Sequence, residues 1–139
     1  MNPLPSEQRV PIAAEVDIIL ARKAAREAAK ALGFGMVDQS RIATAVSELV
    51  RNVIRYANDG QGEMIVRAIR DPKRGNGIEI IVKDDGPGIA NPSEALRDGF
   101  TTGRGLGLGL PGARRLMDEL VLDSGLGRGT TVTTHKWCH

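Results

Sequence analysis

The sequence predicts an α+β two-layer sandwich with helices on one face of a mixed, mostly antiparallel sheet. Three observations predict it. Two helical periods come first, two β-type runs with a turn between them follow, and a glycine-crowded stretch then leads into one more helix and a last hairpin. The 139 residues make one ordinary domain, spanning 1–139, large enough to bury roughly two-thirds of the surface its unfolded chain exposes.

Residues 9–14 are short and partly apolar, and Pro11, which lacks an N–H, suits them to a sheet edge. Over 15–32 the positions Val16, Leu20, Ala24, Ala28, Ala31 and Leu32 recur at helical spacing, and Gly33 supplies a stop. A second helix is expected over 38–57. Asp38 would serve as its N-cap, with Ile42, Val46, Leu49, Val50, Val53 and Ala57 on the buried stripe and Asn58, Asp59 and Gly60 marking the end. Residues 63–70 and 77–83 are β-type and are joined by 71–76, whose Pro72 and Gly75 suit a hairpin, so the two should pair antiparallel. From 85 to 112 glycine dominates, broken by Pro87, Pro92 and Pro111 and by a helical turn at 92–97; such a stretch is a loop region of functional size. A third helix fits 110–120, opened by Pro111 in its first turn, and a last hairpin pairs 121–124 with 130–136 through a turn at 125–129.

Charge and composition narrow the partners. Lys and Arg number 19 against 17 Asp and Glu, a formal charge of +2, and the basic residues form no block. This argues against nucleic acid or a membrane surface as the main partner. No apolar stretch approaches the roughly 20 residues that span a bilayer, and the first residues lack a secretory pattern, so a cytoplasmic location is expected. Cys138 is the only cysteine. It has no internal partner for a disulfide, and its place beside the last residue argues against a catalytic thiol.

Chemistry concentrates in three places. On the second helix Thr44, Glu48, Arg51, Asn52 and Arg55 form a polar stripe beside the buried one, so Glu48 and Asn52 point the same way. That is either a solvated face or a carboxylate and an amide oxygen placed to manage a proton and a hard cation such as Mg²⁺. Asp84-Asp-Gly-Pro-Gly88 follows a strand directly. It is either an ordinary turn or an acid at a strand end, Asp84, that accepts from a ligand amine beside glycines that let the ligand close in. Gly103-Arg-Gly-Leu-Gly-Leu-Gly-Leu-Pro-Gly112 feeds a helix N-terminus. Against the reading of a flexible linker stand its regular Gly/Leu alternation and the amphipathic helix it enters; exposed amides at such a point bind phosphates. It is neither a dinucleotide fingerprint, because no predicted strand precedes it, nor a Walker A loop, because no Gly-Lys-Ser/Thr follows.

In order, Glu48-Leu-Val-Arg-Asn52, Asp84-x-Gly-x-Gly88, Gly103-x-Gly-x-Gly107 and Gly129-Thr130 resemble the motifs of the GHKL (Bergerat-fold) ATPase superfamily across nearly the whole chain. Within it the chain is similar to the bacterial anti-sigma-factor serine kinases, and among those to the stressosome switch kinases. The phrases that carry the narrower match are Leu32-Gly-Phe-Gly-Met-Val-Asp-Gln39, Asp98-Gly-Phe-Thr-Thr102, Gly109-Leu-Pro-Gly112 and Arg115-Leu-Met-Asp-Glu119. The resemblance implies ATP and Mg²⁺ as ligands, Glu48 as general base and Asn52 as the Mg²⁺ holder. It implies that Asp84 recognises the adenine amine, that Gly86 and Gly88 flank the base, and that Thr130 supports it through water. Gly105, Leu106, Gly107, Leu108 and Gly109 fall in the lid over the phosphates, with Thr101, Thr102, Gly103 and Arg104 leading into it; Arg104 stands one place beyond the position where relatives often carry a basic residue. Such a lid is expected to order when ATP binds.

The only histidines are His135 and His139, neither on a helix suited to a phosphoacceptor, and the chain is too short for the transducer domains of a gyrase- or Hsp90-like machine. What remains is a protein serine/threonine kinase. The resemblance implies STAS-domain proteins of a stress-signalling scaffold as substrates and a PP2C-type phosphatase as a second partner. The competing class is a nucleotide-gated binding module that sequesters a sigma factor; retention of both Glu48 and Asn52 favours the enzyme, because sequestration alone needs neither.

Overall fold

The computed structural model describes residues 7–57, 61–87 and 110–138. In chain order they form β1 (Gln8–Ile12), α1 (Val16–Ala31), α2 (Met36–Tyr56), β2 (Gly62–Asp71), β3 (Gly75–Asp84), α3 (Leu110–Leu116), β4 (Glu119–Gly125) and β5 (Gly129–Trp137). The expected helical turn at 92–97, the stop at 58–60 and the glycine run before Leu110 lie outside the described residues. The strands make one sheet in the order β1-β2-β3-β5-β4. Each of its pairings is antiparallel, so the sheet expected to be mixed contains no parallel pair among the described residues. Two of the four pairings are hairpins, β2 turning directly into β3 and β4 into β5, and a hairpin can only pair antiparallel; β1–β2 and β3–β5, whose strands are joined through helices, are antiparallel as well. β1, with Pro11, is an edge strand as its sequence requires.

Alternation along the strands decides which side the helices cover. Met64, Val66, Ile78, Ile80, Val82, Val132 and Thr134 are buried on one face, and α2 lays Ile42, Val46, Leu49, Val50 and Val53 into the same core. The opposite face carries a cross-strand row of charges. Arg67 reaches Glu79 at 3.2 Å, and His135 Nε2 lies 2.8 Å from Glu79.

Three helix expectations are corrected. The α1 residues that enter the core are Ala21, Ala25, Ala28 and Ala29, whereas Val16 is 58% and Leu20 50% exposed. The helix turns its smallest side chains into the core. α2 starts two residues early: Gly35, with extended backbone, is the N-cap, and Asp38 sits inside the first turn. Only residues 32–35 separate the two helices, so α2 begins as soon as the chain has reversed. Asp38 instead pairs with Arg41 at 3.1 Å and lies 3.8 Å from the buried Lys136. The third helix, expected over 110–120, ends at Leu116. There Lys136 Nζ donates to the Leu116 carbonyl at 2.9 Å, the Asp118 N–H donates to the His135 carbonyl at 2.9 Å, and Glu119 is already paired with His135. Capping and strand pairing together take over the backbone groups that another helical turn would use.

Candidate functional site

At one end of the sheet the strand registers align Gly62, Asp84, Thr130 and Ser124 as a row across β2, β3, β5 and β4. The next row inward, Met64, Val82, Val132 and Leu122, is apolar. Residues two apart on a strand share a face, so the polar row is the rim of the helix-covered core. Asp84 closes β3 and is half-buried. The Gly86 N–H donates to its Oδ1 at 2.7 Å, the local turn that Asp followed by Gly favours. Burial pushes the Asp84 carboxyl above its ordinary value; N–H donation from Gly86 and Thr130 offsets part of this, and the neighbouring Asp85 charge adds to it.

Two glycines let the pieces meet. A Cβ at Gly62 would strike the Lys83 carbonyl and come within 2.8 Å of Val53 Cγ1 on α2; one at Gly129, whose φ is 76°, would strike the Asp84 carbonyl. Gly62 thus brings α2 down onto the row beside Asp84, and Gly129 seats Thr130 against it. The turn between β4 and β5 is tied to the loop after Asp84 by the Gly127 N–H, which donates to the Pro87 carbonyl at 2.9 Å. Thr130 Oγ1 lies 2.8 Å from Ser124 Oγ, and Ser124 Oγ donates to the Gly129 carbonyl at 2.9 Å.

The C-terminal half of α2 meets this row through Val53. Val53 is the residue that meets Gly62, Asn52 precedes it, and Glu48 stands one turn earlier on the same side. Both are partly exposed. Arg51 Nη1 lies 3.0 Å from Glu48 Oε1. The fold therefore brings together Asp84, Gly86 and Thr130, and it sets Val53 of α2, the helix that also carries Glu48 and Asn52, against Gly62 in the same row. Gly88, Thr101, Thr102, Gly103, Arg104, Gly105, Leu106, Gly107, Leu108 and Gly109 lie outside the described residues. A shallow groove lined by Met36, Val37, Ser40, Arg41, Thr44 and Leu116 follows the other half of α2, away from Asp84. Sequence reasoning missed Ser124 and Gly62. Neither belongs to a local motif; only the strand register places them in the row.

The site suits a nucleotide with its metal ion. Asp84 is a half-buried acceptor at the end of β3, and Asn52 carries an amide oxygen of the kind a hard cation prefers. Among the described residues no three His, Cys, Asp or Glu side chains cluster as a metal cage. Mg²⁺ requires no such cage, since it is commonly held by one or two protein oxygens and completed by phosphates. No described helix is long and apolar enough to cross a membrane.

Comparison with known proteins gives a consistent answer. The family profile described as histidine kinase-, DNA gyrase B- and HSP90-like ATPase matches residues 37–137. The chain is 50% identical over 128 residues, 92% of its length and 94% of the relative's, to the serine/threonine-protein kinase RsbT of Bacillus subtilis. It is 36% identical over 107 residues, 73% of its length and 71% of the relative's, to an anti-sigma F factor of a Geobacillus species. Among solved structures, the RsbU and RsbW domains of a Mycobacterium tuberculosis protein match with a TM-score of 0.64 at 24% identity, over 98% of this chain and 33% of that one. That last likeness bears on the fold alone.

Proposed function

The chain belongs to the histidine kinase-, DNA gyrase B- and HSP90-like ATPase family and is a protein serine/threonine kinase within it, and on that premise we propose how its own residues act and on what. Its substrates are STAS-domain proteins of a partner-switching stress pathway, with a PP2C-type phosphatase as a further partner. One observation supports the site assignment above the others: Gly62, opposite Asp84 in the β2–β3 register, packs against Val53, the residue that follows Asn52 on α2.

Asp84 accepts from the exocyclic amine of adenine, while Gly86 leaves room for the ring and Thr130 supports its edge. Asn52 directs its amide oxygen to the metal ion, and Mg²⁺, when bound, neutralises charge on the phosphates. The amides of 103–109 are assigned to the phosphates on the sequence pattern alone. Glu48 takes the proton of the attacking serine or threonine hydroxyl as that oxygen bonds to the γ-phosphorus. The bond to the bridging oxygen breaks and ADP leaves with the electron pair. Arg51 keeps the Glu48 carboxylate aimed. Catalysis rests on placement and charge neutralisation, as phosphoryl transfer generally does.

Transfer from radiolabelled ATP to a STAS-domain protein of the same organism tests this reading. Glu48→Ala should bind ATP normally and lose transfer by about a hundred- to ten-thousand-fold, the range of a lost general base, whereas Asn52→Ala should also weaken Mg²⁺-dependent binding. Near-normal transfer by Glu48→Ala would remove the general-base role. The likeness to anti-sigma F factors supports a second reading, a nucleotide-gated module that sequesters a regulator with phosphorylation secondary. On that reading Glu48→Ala keeps full regulatory output.

A further inference from the structure

Ser124 lies behind Thr130 in the polar row. It is 8% exposed, sits directly opposite Thr130 in the β4–β5 register, and counts among its contacts Gly129 O, to which it donates at 2.9 Å, and Thr130 Oγ1 at 2.8 Å. A serine hydroxyl has one proton, and a carbonyl only accepts. The Ser124 proton therefore goes to Gly129, and the contact with Thr130 is a donation from Thr130 to Ser124. With its own proton committed, Thr130 turns only lone pairs to whatever lies beside Asp84.

We propose that Ser124 is a positioning residue for base specificity: by holding the Thr130 hydroxyl as an acceptor, it makes Asp84 and Thr130 a paired-acceptor subsite that takes 6-amino purines and rejects 6-oxo purines. The inference rests on the adenine-binding reading above and adds a residue to it. An exocyclic 6-amino group, with its two N–H donors, or a water bridging to it, satisfies both acceptors. A 6-oxo group faces two acceptors and leaves buried lone pairs unmatched, the arrangement that discriminates most strongly. A cross-strand Ser–Thr pair with a merely structural role would stabilise the sheet and leave base choice untouched.

Titration calorimetry on the full chain, with ATP and inosine triphosphate as probes, separates these. Inosine triphosphate differs from ATP in carrying a 6-oxo group, with a proton on the adjacent ring nitrogen. The unaltered protein should prefer ATP. Ser124→Ala should lower the ATP-to-ITP affinity ratio by about five- to tenfold, the size of one hydrogen-bond mismatch, because Thr130 regains a proton to offer the 6-oxo group. Ser124→Thr should restore the ratio. Ser124→Cys, which keeps the volume but hydrogen-bonds weakly, should behave as Ser124→Ala does, and serves if that variant does not fold. Added to Thr130→Val, Ser124→Ala should change the ratio no further, since it acts through that hydroxyl. An unchanged ratio in Ser124→Ala and Ser124→Cys, or full additivity with Thr130→Val, overturns the inference. If the unaltered protein binds both nucleotides equally, the adenine reading of Asp84 falls as well; if it discriminates through Asp84 and ignores Ser124, only this inference falls.

Discussion

Asp84 serves binding at a cost to the ligand-free fold. Its folded-state value is raised above the ordinary 3.8 by burial, so the folded protein holds a proton that the unfolded chain has released. The stability linked to that proton is full below the unfolded value and is lost as pH rises through the folded one. Near neutral pH the ionised carboxylate therefore weakens the apo protein, modestly, since the side chain is only half withdrawn from water. Asp84→Asn keeps an oxygen for the Gly86 N–H and removes the charge. Its melting temperature without nucleotide should exceed that of the unaltered protein at pH 7, and the gap should close as pH falls through the folded value. ATP binding should weaken in the same variant. A lower melting temperature at pH 7, or a gap that ignores pH, would show that burial does not govern this carboxyl.

Among the elements, α2 carries most of the site, and its start is where local signals misled. Asp38 looks like a cap because Asp commonly is one, but the four residues left by α1 oblige the helix to begin at Met36 with Gly35 as cap. Gly35 has an ordinary φ of −71°, and a Cβ there would meet nothing within 4 Å. Gly35→Ser should thus raise stability by about 0.5–1 kcal/mol, through a capping oxygen and a less flexible unfolded chain, read as a higher urea midpoint with unchanged slope. No gain would mean the helix does not begin there. The far end of α2 was legible: its buried stripe and the Glu48–Asn52 pairing follow from a 3.6-residue period alone. The end of α3 was not, because it depends on Lys136 and His135, which arrive from β5.

For the whole molecule, the buried face of α1 sets how that helix seats in the core. Ala21, Ala25, Ala28 and Ala29 form that face, leaving Val16 and Leu20 outward. Ala25→Leu should then overpack it and destabilise the fold by about 1–3 kcal/mol, while Leu20→Gln on the same helix should fall within about 0.5 kcal/mol of neutral. Chemical denaturation of both variants checks the helix orientation, and the reverse order of effects would place the Val16 face inward.

By itself the sequence determined the number and order of the described elements, the edge position of β1, the polar stripe of α2 and the acid at the end of β3. Each is written within a few residues by period, proline position or turn chemistry. Its motif order also carried the family, although a linker or a plain turn was open at each motif taken singly. Only the tertiary structure decided which face of α1 is buried, because alanine periodicity is satisfied by more than one stripe until a neighbouring helix selects the smallest. It also decided that Gly62, Asp84, Thr130 and Ser124 form one row. Those residues span 62 to 130 in the chain, and long-range strand register, which no local pattern encodes, is what makes them neighbours.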